Sequence, residues 1–247
     1  MNQNVKAALL VGGLGTRLRS VVPSLPKPLA SVGGRPFLEL LVMQLQCQGI
    51  TRLVMCTGYL ADHIEGEFGD GRSLGVEIEY SKESAPMGTA GALRLAQGYL
   101  EQTSDFLLLN GDSFLEVDFE RLLRFHRRQG GLVSMAGVRV PNAQRYGTVN
   151  ADTDGRVTGF AEKNGSSGPG LVNAGVYLFR QDIFRYLPDG PTSLEKDVFP
   201  RILGQGVFAL EQDGMFIDIG TPEDFARAQE IRDRLRQAAL QKQQETK

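Results

Sequence analysis

Directly after the apolar residues 7–11, the chain reads Gly12-Gly13-Leu14-Gly15-Thr16-Arg17-Leu18. Glycines at the end of a strand let backbone N–H groups approach a polyphosphate closely. A dinucleotide-binding turn would carry a third glycine where its helix packs on the strand, and that glycine is missing. The segment therefore predicts a nucleotide-phosphate site and makes a dehydrogenase the weakest interpretation.

Around this turn, short apolar runs alternate with amphipathic stretches, which is the pattern of strand–helix units in a mainly parallel sheet. The predicted strands of this part are residues 7–11, 53–57, 76–80, 106–109 and 132–138. The predicted covering helices are residues 36–48, 89–100 and 118–129. We therefore expect an α/β fold whose central sheet is covered on both faces.

From residue 146 onward the runs are shorter and are separated by turn-rich segments. The strands predicted there are residues 146–150, 156–162, 171–179, 207–210 and 215–219. They add a mixed or antiparallel layer to the sheet. A helix is predicted from Pro222, with Thr221 as its N-cap. We expect residues 1–230 to form one domain and residues 231–247 to be a polar C-terminal tail.

The charge balance argues against polyanionic partners. The 247 residues carry 27 basic and 29 acidic side chains, a formal net charge of -2. This balance favours neither nucleic acid nor a membrane as a partner. Cys47 and Cys56 fit no disulfide or metal spacing and indicate buried thiols in a reducing compartment. The polar start and the short run 7–11 do not read as a signal or spanning segment, so we expect a cytoplasmic protein.

A second cationic segment, Pro26-Lys27-Pro28, follows the turn, and its prolines hold the lysine on a stiff extended backbone. Arg17 can grip phosphate oxygens with its planar fork. Lys27 can act as a point charge on the same triphosphate or on the phosphate of a second substrate. The Walker pattern, with its lysine inside the glycine loop, is absent from the sequence. The alternative interpretation is a glycine loop with solvated surface charges.

Two separated aspartates predict a metal site. Asp112 follows the apolar run 106–109, at the strand end where open α/β sheets bind ligands. Asp218 stands in the otherwise apolar stretch 216–219, where an unpaired buried carboxylate is costly. Mg²⁺ is a hard ion that takes one or two carboxylates together with phosphate oxygens and water. Alternatively, Asp112 caps a turn and Asp218 bonds the N-terminal amides of the Pro222 helix.

The turn at residues 12–18 followed by Pro26-Lys27-Pro28 resembles the signature of the sugar-1-phosphate nucleotidyltransferase family. The likeness continues through the later motifs to about residue 225. It implies a Rossmann-like α/β three-layer sandwich, with a mainly parallel, mixed central sheet and a small antiparallel addition. It also implies that Asp112 and Asp218 share Mg²⁺ while a sugar 1-phosphate attacks a nucleoside triphosphate and pyrophosphate leaves.

The residues that match the family's motifs fall into three groups. The catalytic group is Arg17, Lys27, Asp112 and Lys163. The nucleotide-binding group is Leu10, Gly12, Gly13, Gly15, Thr16, Arg17, Glu83, Gly88, Thr89 and Gly111. The sugar-phosphate group is Gly147, Glu162, Lys163 and Asn173. Without the resemblance, Glu162 and Lys163 would be interpreted as a solvated strand end and Asn173 as a turn residue.

Glu83 offers a physical argument about the base. A carboxylate only accepts hydrogen bonds, and guanine presents adjacent N1–H and N2–H donors that a carboxylate can accept as a pair. Uracil and thymine present a single N–H between two carbonyls. The pattern of Glu83 and the Pro86-Met87-Gly88-Thr89 that follows resembles the guanylyl branch of the family, which favours GTP. The alternative is an exposed glutamate that never meets the base.

Within that branch, residues 145–150 and 216–225 most resemble D-glycero-alpha-D-manno-heptose 1-phosphate guanylyltransferases, with mannose-1-phosphate guanylyltransferases close behind. A uridylyl- or thymidylyltransferase acting on another sugar 1-phosphate is an alternative. A nucleotide-sugar sensor is the non-enzymatic alternative. The presence of Asp112 and Asp218 argues against it, because a sensor without turnover could lose its metal-binding acids. We expect GTP and a sugar 1-phosphate as partners, and the oligomeric state stays open, a homo-oligomer included.

Neither histidine is expected to act in catalysis. The attacking phosphate is already ionised at neutral pH, so the reaction needs neither a protein nucleophile nor a general base. His63 and His126 lie in predicted helices away from every motif. We expect them to have surface or packing roles.

Overall fold

The computed structural model of the protein describes residues 5–161 and 168–241. The strands in these residues are β1 Lys6–Leu10, β2 Ser31–Val32, β3 Arg35–Pro36, β4 Arg52–Thr57, β5 Glu77–Lys82, β6 Asp105–Asn110, β7 Ser113–Leu115, β8 Val133–Val140, β9 Thr148–Ala151, β10 Val157–Ala161, β11 Gly170–Arg180, β12 Val207–Gln212 and β13 Phe216–Asp218. The α-helices are α1 Phe37–Cys47, α2 Ala61–Phe68, α3 Gly88–Leu95, α4 Gln97–Leu100, α5 Phe119–Gln129, α6 Pro222–Glu230 and α7 Arg232–Leu240. Short 3₁₀ segments cover Thr16–Leu18, Lys27–Leu29, Arg72–Leu74, Gln181–Arg185 and Phe199–Gln205, and a π-helical turn covers Leu194–Val198.

The central sheet is mixed, as predicted. Its order is β10-β9-β11-β6-β1-β4-β5, and β8 pairs with both β11 and β12. The strands β6, β1, β4 and β5 run parallel to one another, whereas β11 runs antiparallel to β6 and β8. The small antiparallel pairs β2–β3 and β7–β13 stand apart from the sheet. The Rossmann-like α/β fold class expected from the sequence is therefore confirmed.

Each face of the sheet has its own hydrophobic core, because successive side chains of a strand point to opposite faces. In β1, Ala7 and Leu9 join the core that includes α1 and α5, while Ala8 joins the other core. That second core packs Phe106 and Tyr177 against Phe199 and the segment that follows β11. Burial on both faces explains why the central strands read as continuous apolar runs rather than alternating ones.

The structure departs from the sequence prediction at several elements. The helix predicted at residues 89–100 is two helices, α3 and α4, which meet at Ala96, where φ is -79° and ψ is 0°. The short strand β7 was not predicted. The helix α6 begins as expected, since the hydroxyl of Thr221 accepts a hydrogen bond from the backbone N–H of Asp224 at 3.3 Å.

The segment after residue 230 contains more structure than its polar composition indicates. Helix α7 packs against α1, and Leu235 and Ala239 are fully buried. Three apolar residues at helical spacing, Leu235, Ala238 and Ala239, are enough to give this charged segment a buried face. Among the described residues, no helix is long and apolar enough to cross a membrane.

Candidate active site

A cavity of about 430 Å³ opens at the carboxyl ends of β1 and β6. These strands run parallel with Leu10 opposite Asn110, so the segments that follow them meet at one edge of the sheet. The predicted nucleotide-binding residues that line the cavity are Leu10, Gly12, Gly13, Gly15, Thr16, Arg17, Glu83, Gly88 and Thr89. Gly111 lies behind this lining, where its N–H donates to the carbonyl of Leu10 at 2.9 Å.

The glycine-rich turn has space on one side and tight packing on the other. A Cβ placed on Gly12 would lie 2.9 Å from Oε1 of Glu83 and 3.0 Å from the backbone N of Gly58. A Cβ on Gly13 would meet nothing within 4 Å. Gly15 adopts φ +59°, a left-handed conformation that starts the following 3₁₀ turn. The turn thus exposes its backbone toward the cavity while Gly12 fixes it against the strand ends.

The two cations predicted at the site are placed differently. Lys27 is buried, with 9% of its surface exposed, and its Nζ lies 2.6 Å from Oδ2 of Asp112. The same Nζ is 3.9 Å from Oδ1 of Asp218. Arg17 is exposed at the cavity and forms no ion pair with any carboxylate of the described residues. Lys27 therefore holds the acidic pair together, and Arg17 is the cation available to an anionic ligand.

The small sheet β7–β13 brings the two aspartates together. Asp218 stands opposite Ser113 in this sheet, and the N–H of Ile219 donates to the carbonyl of Asp112 at 3.0 Å. The hydroxyl of Ser113 lies 3.4 Å from Asp112 and 3.5 Å from Asp218. Residues more than a hundred positions apart in the sequence thereby form one acidic pair beside the cavity.

The electrostatics of this pair fit a divalent cation. Burial, followed by the negative charge of Asp112, raises the pKa of Asp218 above its usual value, although Lys27 lowers it in part. The described residues contain no group of three or more His, Cys, Asp or Glu side chains arranged for a metal. Two carboxylates suit Mg²⁺, which completes its coordination with substrate phosphate oxygens and water.

Glu83 also lines the cavity. One of its oxygens, Oε2, accepts a hydrogen bond from the N–H of Met87 at 2.8 Å. The other, Oε1, lies at the cavity edge beside Gly12. Partial burial raises the pKa of Glu83, and the hydrogen bond from the Met87 N–H partly offsets this rise. Glu83 thus has a structural role in the turn before α3 as well as an oxygen facing the cavity.

Of the residues predicted for the sugar phosphate, the two that the structure describes, Gly147 and Asn173, do not line the cavity. The N–H of Asn173 donates to the carbonyl of Gly147 at 3.3 Å, so these two predicted residues are neighbours. Ala161, the last residue of β10, pairs with Thr148, which follows Gly147 in the sequence. Glu162 and Lys163 come next and lie outside the described residues.

Comparison with known proteins identifies the family. The model of the family described as Nucleotidyl transferase matches residues 6–233. The chain belongs to this family. It is 37% identical over 227 residues to a mannose-1-phosphate guanylyltransferase of Mycobacterium tuberculosis, covering 90% of this chain and 63% of that protein. It is 37% identical over 225 residues to mannose-1-phosphate guanyltransferase beta-B of Xenopus laevis, covering 90% and 62%. The chain therefore spans somewhat less than two thirds of these curated relatives.

A solved nucleotidyl transferase-like structure matches over nearly its full length. The crystal structure of HddC from Yersinia pseudotuberculosis complexed with GMP-PN superposes with a TM-score of 0.83 at 34% sequence identity. The match covers 92% of this chain and 98% of that one.

The structure of this nucleotidyl transferase also adds residues that sequence reasoning missed. Asn110 lines the cavity, and its side-chain oxygen is buried without a hydrogen-bond partner among the described residues. Its position just before Gly111 and Asp112 could have indicated it. Glu195 accepts a hydrogen bond from the hydroxyl of Thr89 at 2.9 Å, although no local pattern in the sequence marks it. Only the folded chain brings that π-helical turn beside α3.

Proposed function

We propose that this chain transfers GMP from GTP to a sugar 1-phosphate, giving a GDP-sugar and pyrophosphate, with D-glycero-alpha-D-manno-heptose 1-phosphate as the favoured acceptor. The observation that carries the proposal is the convergence on one cavity of a glycine turn, a free arginine and an acidic pair bridged by Lys27. A phosphate-binding turn beside a divalent-cation site is what a metal-bound triphosphate requires.

The proposed reaction is an in-line attack of a sugar phosphate oxygen on the α-phosphorus of GTP. The attacking group is already anionic, so catalysis consists of holding two polyanions together and offsetting the charge that moves to pyrophosphate. Arg17 binds the triphosphate, and Lys27 keeps Asp112 and Asp218 close enough to share one ion. Mg²⁺, when bound there, neutralises phosphate charge and polarises the phosphorus. Lys163 is proposed to meet the phosphate of the sugar.

Guanine is proposed as the base because of Glu83. Glu83 lines the cavity, its Oε2 accepts from Met87, and no donor of the described residues bonds its Oε1, so an acceptor remains for a donor on the base edge. HddC, which was crystallised with GMP-PN, and the relatives named as guanylyltransferases support the same nucleotide. Mannose 1-phosphate is the second candidate acceptor, because the curated relatives at 35–37% identity are named for it.

The test is release of pyrophosphate by the purified protein with Mg²⁺. Each of GTP, ATP, UTP, CTP and dTTP is paired with heptose 1-phosphate, mannose 1-phosphate and glucose 1-phosphate. We expect turnover with GTP and heptose 1-phosphate to exceed every other pair. Asp112→Asn should abolish turnover, whereas Asp154→Asn, on an exposed turn far from the cavity, should not. If no pair of substrates released pyrophosphate, the proposal would be overturned.

The base assignment has a separate test in Glu83→Gln. The carbonyl of the glutamine can keep the hydrogen bond from Met87, which leaves its NH₂ group facing the base. An NH₂ group opposes the N–H donors of guanine and suits a carbonyl acceptor. We expect kcat/KM for GTP to fall at least about tenfold, the equivalent of one mismatched hydrogen bond. An unchanged preference among the five triphosphates would show that Glu83 does not read the base.

A further inference from the structure

A partly buried chain of hydrogen bonds, with the fully buried Tyr177 in its middle, lies beside the proposed sugar side of the site. Nδ2 of Asn173 donates to the hydroxyl oxygen of Tyr177 at 2.9 Å. That hydroxyl donates to Oε1 of Glu195 at 3.1 Å. Oε2 of Glu195 accepts from the hydroxyls of Thr89 and Ser193, both at 2.9 Å. One carboxylate therefore joins β11, the π-helical turn and the first turn of α3.

The chemistry of its members fixes the direction of these hydrogen bonds. Burial, followed by the charge of Glu195, raises the pKa of Tyr177 well above its usual value, so the phenol keeps its proton at neutral pH. A carboxylate can only accept, so that proton points to Glu195. The oxygen of Tyr177 is then left as an acceptor, and the NH₂ group of Asn173 must donate to it.

The other end of the Asn173 amide is fixed as well. Its Oδ1 accepts a hydrogen bond from the N–H of Gly175 at 3.1 Å. Gly175 adopts φ +74°, and a Cβ there would lie 2.6 Å from Nδ2 of Asn110, which lines the cavity. This bend therefore brings Asn173 beside the site while both ends of its amide are held. Within the described residues Nδ2 of Asn173 donates only this one hydrogen bond to Tyr177, so its second N–H is available to a ligand.

We propose that Tyr177 and Glu195 are positioning residues, which orient the Asn173 amide so that its remaining N–H donates to an acceptor oxygen of the sugar 1-phosphate. The proposal rests on the proposed function, which makes Asn173 a sugar-phosphate ligand. The chemistry recognised is a hydroxyl or phosphate oxygen that accepts a hydrogen bond. Because Glu195 also holds the hydroxyl of Thr89, the same carboxylate ties the sugar side to the nucleotide side of the cavity.

Tyr177→Phe is the main test, since it keeps the ring in the core and removes only the hydroxyl. The Asn173 amide then loses the acceptor that holds its NH₂ group. We expect KM for the sugar 1-phosphate to rise about tenfold, the equivalent of one hydrogen bond, with KM for GTP unchanged. An unchanged KM for the sugar 1-phosphate, or an equal rise in both KM values, would overturn the proposal.

Tyr80→Phe is the matched control. It also removes a hydrogen-bonded phenol, whose hydroxyl donates to the carbonyl of Gly69 at 2.7 Å, but it lies at the far edge of the sheet. Both KM values should stay at those of the wild type. Asn173→Asp removes the donor itself, so it should match or exceed the effect of Tyr177→Phe on the sugar KM. If Asn173→Asp binds the sugar 1-phosphate normally, the donor role is wrong.

A measurement without substrates separates this inference from the proposed function. If the wild-type protein releases no pyrophosphate with any sugar 1-phosphate, the proposed function fails. The hydrogen bond between Tyr177 and Asn173 is then tested by comparing the denaturation midpoints of Tyr177→Phe, Asn173→Ala and the double variant with that of the wild type. Residues in one hydrogen-bond network give non-additive shifts, which we expect here. Additive shifts would show that Tyr177 does not hold Asn173, whatever the enzyme does.

Discussion

His126 gives the protein a pH dependence of stability that can be worked out from its surroundings. The ring is buried in α5, where its Nδ1 contacts the hydroxyl of Ser134 at 2.8 Å. Its Nε2 lies 3.9 Å from Asp105. Burial lowers the pKa of His126 from 6.5 to about 4, and Asp105 offsets this only in part while Arg180 and Arg127 add to it. The folded protein therefore keeps this histidine neutral.

The sign and size of the effect follow by linkage. Below about pH 6.5 the unfolded chain binds a proton at His126 that the folded protein does not bind. The free energy of unfolding therefore falls as the pH falls. The loss grows until about pH 4, where the folded protein also binds the proton. A pKa difference of about 2.5 corresponds to about 3 kcal/mol in full, and to about 2 kcal/mol at pH 5.

Urea unfolding between about pH 7.5 and pH 5 measures this loss. Carboxylates also titrate in this range, so the wild type is compared with His126→Gln, which cannot take the proton. The wild type should lose about 2 kcal/mol more than the variant between the two pH values. His63→Gln, at an exposed position of α2, controls for loss of a histidine. Parallel losses in the wild type and His126→Gln would refute the reasoning.

Four further predictions concern the site and its surface. Gly13→Ala should leave the unfolding free energy unchanged, because its Cβ meets nothing within 4 Å, yet raise KM for GTP, whose phosphates are proposed to approach there. Gly12→Ala should lower both stability and GTP affinity, since its Cβ would contact Glu83. Lys27→Met should reduce kcat/KM at least about a hundredfold and destabilise the protein by about 1–3 kcal/mol, with partial recovery in Mg²⁺. Arg139→Ala should cost less than about 1 kcal/mol, because its ion pair with Glu211 is exposed.

Each of these has a result that would count against it. A destabilised Gly13→Ala would mean that the turn is packed rather than open on that side. If Gly12→Ala and Gly13→Ala had the same free energy of unfolding, the expected clash of the Gly12 Cβ with Glu83 would be wrong. If Mg²⁺ did not stabilise Lys27→Met more than the wild type, the acidic pair would not be the ion site. A large loss in Arg139→Ala would place that pair in a role that its exposure does not indicate.

The sequence carries much of the fold because its central strands are apolar on both faces and its glycine turn follows the first of them. It could not place α7, since only three small or apolar residues in a charged segment give that helix its buried side. It did not show the small pair β7–β13 either: a strand was predicted at residues 215–219, but its partner β7 has only three residues and leaves no periodic pattern. That pair is nevertheless what brings Asp218 beside Asp112.

The candidate site was predictable where function depends on short local motifs. The cavity collects the glycine turn, Glu83 and Thr89 as the sequence indicated. The sequence did not predict hydrogen bonds between distant segments of the chain, such as the one from the hydroxyl of Thr89 to Glu195. The assignment of Lys27 to phosphate stays a prediction, since its contacts in the free protein are the two aspartates.

The proposed function requires a sugar phosphate oxygen to attack the α-phosphorus of GTP. The most direct measurement follows radioactive phosphorus from GTP labelled at either the α or the γ position, with Mg²⁺ and heptose 1-phosphate. We expect the α label in a GDP-sugar that resists phosphatase and the γ label in pyrophosphate. Transfer of the γ label to the sugar, or loss of the label only as inorganic phosphate, would contradict the proposed function.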